Sequence, residues 1–105
     1  MSCHKLSKLK NTGRLLKKLR ETHGLLLREV GSSISLDPTL LSKIEQNKRL
    51  PTKNQIIALA NYYDEYKNEI ISTWLSDKVL SELYDQPLAI EAINIARKKI
   101  LLKKS

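Results

Sequence analysis

Residues 25–51, LLLREVGSSISLDPTLLSKIEQNKRLP, read as two short helices joined by a tight corner, and the second helix carries its apolar side chains on one side only. Leu36, Leu40, Leu41 and Ile44 fall at the i, i+4, i+5, i+8 spacing of a helical stripe, while Thr39, Ser42 and Lys43 point away from it. Asp37-Pro38 supplies an N-cap followed by proline at the first helical position, so this helix starts at Pro38 and ends near Gln46. Asn47 takes a left-handed conformation more cheaply than most residues and suits the position that follows. The preceding helix covers about Leu26 to Ser33, with Val30 and Ile34 on the core side, and the serine-rich SSIS stretch breaks it.

Outward from this pair, a first helix is predicted from about Thr12 to His23, with Leu16 and Leu19 inward and Gly24 at its C-terminal stop. Thr52 caps a fourth helix through about Tyr63, whose Ile56, Leu59, Ala60 and Tyr63 share one side. A fifth helix, from about Tyr66 to Tyr84, carries Ile70, Trp74, Leu75, Val79 and Leu83, and a sixth runs from Pro87 to about Lys103. In the sixth, Leu88, Ile95 and Leu102 repeat every seven residues, as do Ala89 with Ala96 and Ile93 with Ile100. A band this broad calls for two neighbours, one of which is available from another subunit. There is no sustained apolar alternation and no Asn-Gly or Asp-Gly hairpin signal, so the chain reads as all-α.

A chain of 105 residues is one domain, or one small domain with an appended element. Its 19 lysines and arginines against 11 acidic residues give a net charge of +8, which makes a polyanion the default partner. The charge is uneven: residues 1–24 hold seven basic and one acidic side chain, residues 64–85 two and six, and residues 86–105 five and one. The acidic stretch should face away from any nucleic acid. The single cysteine, Cys3, has no intrachain disulfide partner, which fits a reducing cytoplasm. His4 and His23 lack a ligand cluster, so neither a metal nor a cofactor is expected. No apolar run approaches the roughly 18 residues of a membrane span, and the first twelve residues lack a signal-peptide core. With no Gly-rich phosphate loop, paired-cysteine site or nucleophile–base motif, no enzyme is expected either.

The run from Gly13 to Tyr63 resembles the phage-repressor type of helix-turn-helix domain, the Cro/C1 or XRE family of bacterial and phage transcription regulators. The likeness rests on Gly13, Leu16, Leu19 and Arg20 in the first helix, Gly24-Leu25 at its end, Val30 and Ile34, Ser42 to Glu45, and Pro51. It implies an all-α, phage-repressor-like helix-turn-helix bundle of about five helices with a C-terminal helical extension. In that reading residues 1–11 are a basic N-terminal arm, with Lys5, Lys8 and Lys10, residues 12–85 the DNA-binding domain, and residues 86–105 a dimerisation helix. The family has Ala where Gly31 stands and Gly where Ser35 stands; Gly31 inside a helix costs about 1 kcal/mol relative to Ala, so close interhelix packing is expected there. The Thr-Gln with which the family often opens its second helix is replaced by Leu26-Leu27.

By the same resemblance, Pro38, Thr39, Ser42 and Lys43 would read bases. Lys43 can donate to guanine and Thr39 offers a methyl group for thymine. Phosphate contacts would come from Arg28 and the backbone at Leu27, then from Asn47, Lys48, Arg49 and Lys53. Arg20 and Glu45 would form a structural ion pair locking the first helix to the third. Leu88, Ile93, Ile95, Ile100 and Leu102 would form a dimer interface. The expectation is a sequence-specific double-stranded DNA binder, cytoplasmic and nucleoid-associated when bound. It would act as a homodimer on a pseudo-palindromic operator, as a restriction-modification controller or autoregulator, with no membrane and no small-molecule effector. The alternatives are an antitoxin that binds a toxin through its C-terminal helices, and a protein-interaction adaptor that has lost DNA binding.

Overall fold

The computed structural model describes residues 11–104. The expected basic arm, with Cys3, His4, Lys5, Lys8 and Lys10, lies outside the described residues. Six α-helices follow one another: α1 (Thr12–Thr22), α2 (Leu27–Ser33), α3 (Pro38–Glu45), α4 (Lys53–Tyr62), α5 (Lys67–Leu83) and α6 (Ala89–Lys104), with a short 3-10 turn at Asp64–Tyr66 before α5. No strand occurs among the described residues. The all-α bundle is therefore as the spacing predicts, with helix ends within one or two residues of expectation, where helices fray.

Helices α1 and α2 pack on α3, and α5 packs on both α1 and α4. The centre is sealed by Leu16, Leu41, Ile44, Ile56, Leu59 and Ile70, each no more than 1% exposed. These positions come from the predicted stripes, so burial follows helical periodicity.

Helices α1, α2 and α3 all end in the same way, with one residue in the left-handed region: Gly24 (φ 65°), Ser35 (φ 57°) and Asn47 (φ 61°). In each case the next N–H reaches back to the carbonyl five residues earlier: Leu25 to Arg20 (3.0 Å), Leu36 to Gly31 (2.8 Å) and Lys48 to Lys43 (3.0 Å). This is the Schellman closure, which satisfies carbonyls that the helix leaves open. Three such stops in 24 residues produce the sharp corners. Only Ser35 occupies its position at an appreciable conformational cost, since neither Gly nor Asn resists it as strongly.

Helix α5 fastens the ends of the bundle. The Thr12 N–H and hydroxyl both donate to Asp77 Oδ2, at 2.8 and 2.6 Å, which places a carboxylate at the positive end of α1. Asn11 completes that cap by accepting from the Arg14 N–H at 2.9 Å. Trp74 Nε1 donates to the Pro51 carbonyl at 2.8 Å, tying the segment after α3 to the same helix.

The apolar set of α5 divides at this point. Ile70 and Trp74 are buried, but Leu75 and Val79 are about half exposed and Tyr84 is 75% exposed. Ile70 and Trp74 share the side of α5 that faces the bundle, whereas Leu75 and Val79 lie on the opposite side of the helix, which nothing among the described residues covers. Helix α6 has no buried residue.

Candidate nucleic-acid interface

Helix α3 begins where Asp37 accepts from the Thr39 N–H at 3.0 Å with Pro38 in the first turn, a cap readable in sequence. Its inner stripe, Leu41 and Ile44, is 1% exposed, which fixes the helix rotationally and leaves Pro38, Thr39 and Lys43 in solvent, with Ser42 half-buried. These four residues line one shallow concavity with Leu27, Gln46 and Lys48. The base-reading candidates thus share a surface with the start of α2 and with the segment after α3. Arg28, Arg49 and Lys53 are exposed as well.

Tight sterics hold α2 and α3 together. A Cβ added to Gly31 would come within 2.5 Å of the Leu36 carbonyl oxygen, so no larger residue fits unless the corner opens. The packing expected at this glycine is present, and it offsets the helix-propensity cost of about 1 kcal/mol. At the start of α2, Leu26 offers no side-chain acceptor, but Glu29 accepts from the Leu26 N–H at 2.8 Å. That bond supplies half of a capping box in place of the family's threonine.

Arg20 holds α3 against α1. Its Nε lies 2.9 and 3.2 Å from the two Glu45 carboxylate oxygens, its Nη2 donates to Oε1 at 3.1 Å, and its Nη1 donates to the Leu25 carbonyl at 2.9 Å. The side chains are 13% and 5% exposed, so the pair is largely withdrawn from water. Glu45 holds the Arg20 pKa above its ordinary value, chiefly through these hydrogen bonds. A glutamate next to the exposed basic residues after α3 is thereby turned inward and paired.

Two residues do more than sequence reasoning finds. Asn47 Oδ1 accepts from the Gly13 N–H at 3.1 Å, and a Cβ on Gly13 would strike both Asn47 and the Ile44 carbonyl. Asn47 therefore clamps the end of α3 onto the start of α1 as well as turning the chain. Gln46, in sequence merely the last turn of a helix, lines the same concavity as Thr39 and Lys43, and its Nε2 donates to the Ser42 hydroxyl at 2.8 Å. The hollow on the other side of Gln46 is lined by Arg14, Lys17, Lys18 and Glu21 of α1 together with the paired Glu45, so basic side chains outnumber acidic ones there as well. Their signal in sequence was the basic run of α1, which spacing alone does not assign to a face.

Among the described residues there is no cluster of His, Cys, Asp and Glu able to hold a metal ion, and no helix long and apolar enough to cross a membrane. Comparison with family models matches residues 13–75, more than half of the chain, to one described as a helix-turn-helix domain. Neither a curated protein nor a solved structure matches the chain.

Proposed function

Because the chain belongs to the helix-turn-helix domain family and is a DNA-binding regulator of the Cro/C1 type, we propose that it binds a specific double-stranded operator as a homodimer. The observation that carries this reading is the solvent face of α3, where Thr39 and Lys43 stand clear on a helix fixed by Leu41, Ile44 and the Arg20–Glu45 pair. In the complex α3 lies in the major groove. Pro38, Thr39, Ser42 and Lys43 read base edges, with Gln46 beside them. Arg28, Lys48, Arg49, Lys53 and the backbone at Leu27, joined by Asn47, meet phosphates and set register. Two copies place their α3 helices roughly 34 Å apart on half-sites of a pseudo-palindrome, one turn of DNA between them. Leu88 and, on α6, Ile93, Ile95, Ile100 and Leu102, exposed in the single chain, form the dimer seam. A small controller or autoregulator of a restriction-modification type is the role such a domain supports.

The test is a footprint on the DNA immediately upstream of the chain's own coding sequence, repeated across a salt series. A specific protected site with two half-sites is expected, together with a steep loss of affinity between low and moderate salt as counterions are released. Salt-independent or absent binding would replace this reading with that of a protein-interaction adaptor. The uncovered apolar residues of α6 equally suit an antitoxin seating a toxin on that helix, and copurification of a stoichiometric second protein with the native operon distinguishes the two.

A further inference from the structure

Helix α6 and the turn before it present two apolar stripes: Leu88, Ile95 and Leu102 on one side, Ala89, Ile93, Ala96 and Ile100 on another. Its large side chains are 37% exposed at Ile93 and more than that elsewhere, and it packs extensively on no other element of its own chain. A single neighbour covers one stripe, so burying both takes two. The outer half of α5 is its counterpart. Leu75, Val79 and Leu83 fall at i, i+4, i+8 on one side, while Leu80 and Tyr84 on another side line an apolar groove with Leu50 and Pro51.

Charge decides which helix meets which. The C-terminal helix carries Arg97, Lys98, Lys99, Lys103 and Lys104 against Glu91, whereas the outer part of α5 and its following turn carry Glu82 and Asp85 against Lys78, Asp77 being taken up by Thr12. Lys78 lies over the Trp74 ring, 4.7 Å from its centre, and so is already engaged. Two α6 helices seamed in parallel would bring five cations of one copy up to five of the other, and an antiparallel seam would offer each cluster only Glu91, whereas α6 laid on a second copy's α5 meets Glu82 and Asp85.

Resting on the homodimer reading above, we propose that each copy lays its α6 on the outer half of the other's α5, so that the two chains join through an exchanged four-helix seam. Five large apolar side chains on the two stripes, Leu88, Ile93, Ile95, Ile100 and Leu102, and four along α5 and its C-terminal end, Leu75, Val79, Leu80 and Tyr84, are more than a third exposed. At about 100 Å² each they cover roughly 900 Å² per copy, comparable to the about 800 Å² per partner of a standard stable interface. The seam joins the DNA-facing surface through two bonds, Trp74 to Pro51 and Thr12 to Asp77, so it sets the separation of the two α3 helices.

Sedimentation equilibrium of the full chain tests the proposal with two variants, one carrying Lys99→Glu and Lys103→Glu, the other Glu82→Lys and Asp85→Lys. All four residues are exposed, and thermal melts check that each variant folds. The wild type is expected to be a dimer, each variant alone a dimer at least about tenfold weaker, and the equimolar mixture restored to wild-type strength, because every α6 in the mixed dimer then faces an α5 of opposite charge. A tighter dimer for the Lys99→Glu, Lys103→Glu variant would show that α6 pairs with its own copy. No recovery on mixing, or variants as dimeric as the wild type, would also overturn the exchanged seam while leaving homodimerisation intact. A wild-type chain that stays monomeric would remove the homodimer reading itself.

Discussion

Replacing Arg20 by alanine removes three N–H contacts from the Glu45 carboxylate and one from the Leu25 carbonyl. Glu45 stays behind with its side chain 5% exposed, facing the core boundary between α1 and α3. A solvated pair would cost under about 1 kcal/mol to break. With the carboxylate this far withdrawn from water, the expected loss is about 3 to 5 kcal/mol, the range for breaking a buried pair. Trp74 is the only tryptophan and is buried, so its fluorescence reports urea unfolding directly. With an m-value of about 1.5 kcal/mol/M, the midpoint should fall by about 2 to 3 M. The double variant Arg20→Met, Glu45→Leu should recover much of this loss, because the greater part of it is the stranded charge and not the value of the pair. A loss below about 1 kcal/mol for Arg20→Ala, or a double variant no better than the single, would refute the reasoning.

Ser35→Gly should stabilise the chain by about 1 kcal/mol, raising the melting temperature by about 4 to 8 °C, since φ 57° is strained for serine and free for glycine; an unchanged Tm would mean that Ser35 makes a compensating contact. Gly31→Ala should destabilise in spite of alanine's better helix propensity, because its Cβ meets the Leu36 carbonyl, and a higher Tm would contradict the close approach. Lys43→Ala should relax preference at one operator position and cost about 1 to 3 kcal/mol, whereas Arg49→Ala should weaken binding to all sequences alike; competition binding on single-base operator variants separates the two. Burial raises the Tyr63 pKa, so the folded state holds its phenolic proton longer than the unfolded one. That contribution is complete below the ordinary tyrosine value of about 10 and is lost as pH rises toward the folded value. Tyr63→Phe should therefore flatten the alkaline decline in stability measured by urea titration above pH 10, and an unaltered slope would exclude the group.

Local chemistry wrote much of this protein into its sequence. Asp37-Pro38 starts α3, Thr52 with Gln55 starts α4, and the positions of Leu41, Ile44, Ile56 and Leu59 decide which faces are buried, because caps and stripes act over one or two turns and need no knowledge of the rest of the chain. The outward set Thr39 and Lys43 follows from the same periodicity. What periodicity cannot supply is contact between residues distant in sequence. That Asn47 spends its side-chain oxygen on Gly13, that Asp77 caps α1 across 65 positions, and that Gln46 shares a hollow with Lys43 depend on how α1, α3 and α5 cross. The division of α5 into a buried face and a bare one has the same origin: an apolar stripe declares that a face will be covered, and only the tertiary arrangement decides whether the chain itself has anything left to cover it.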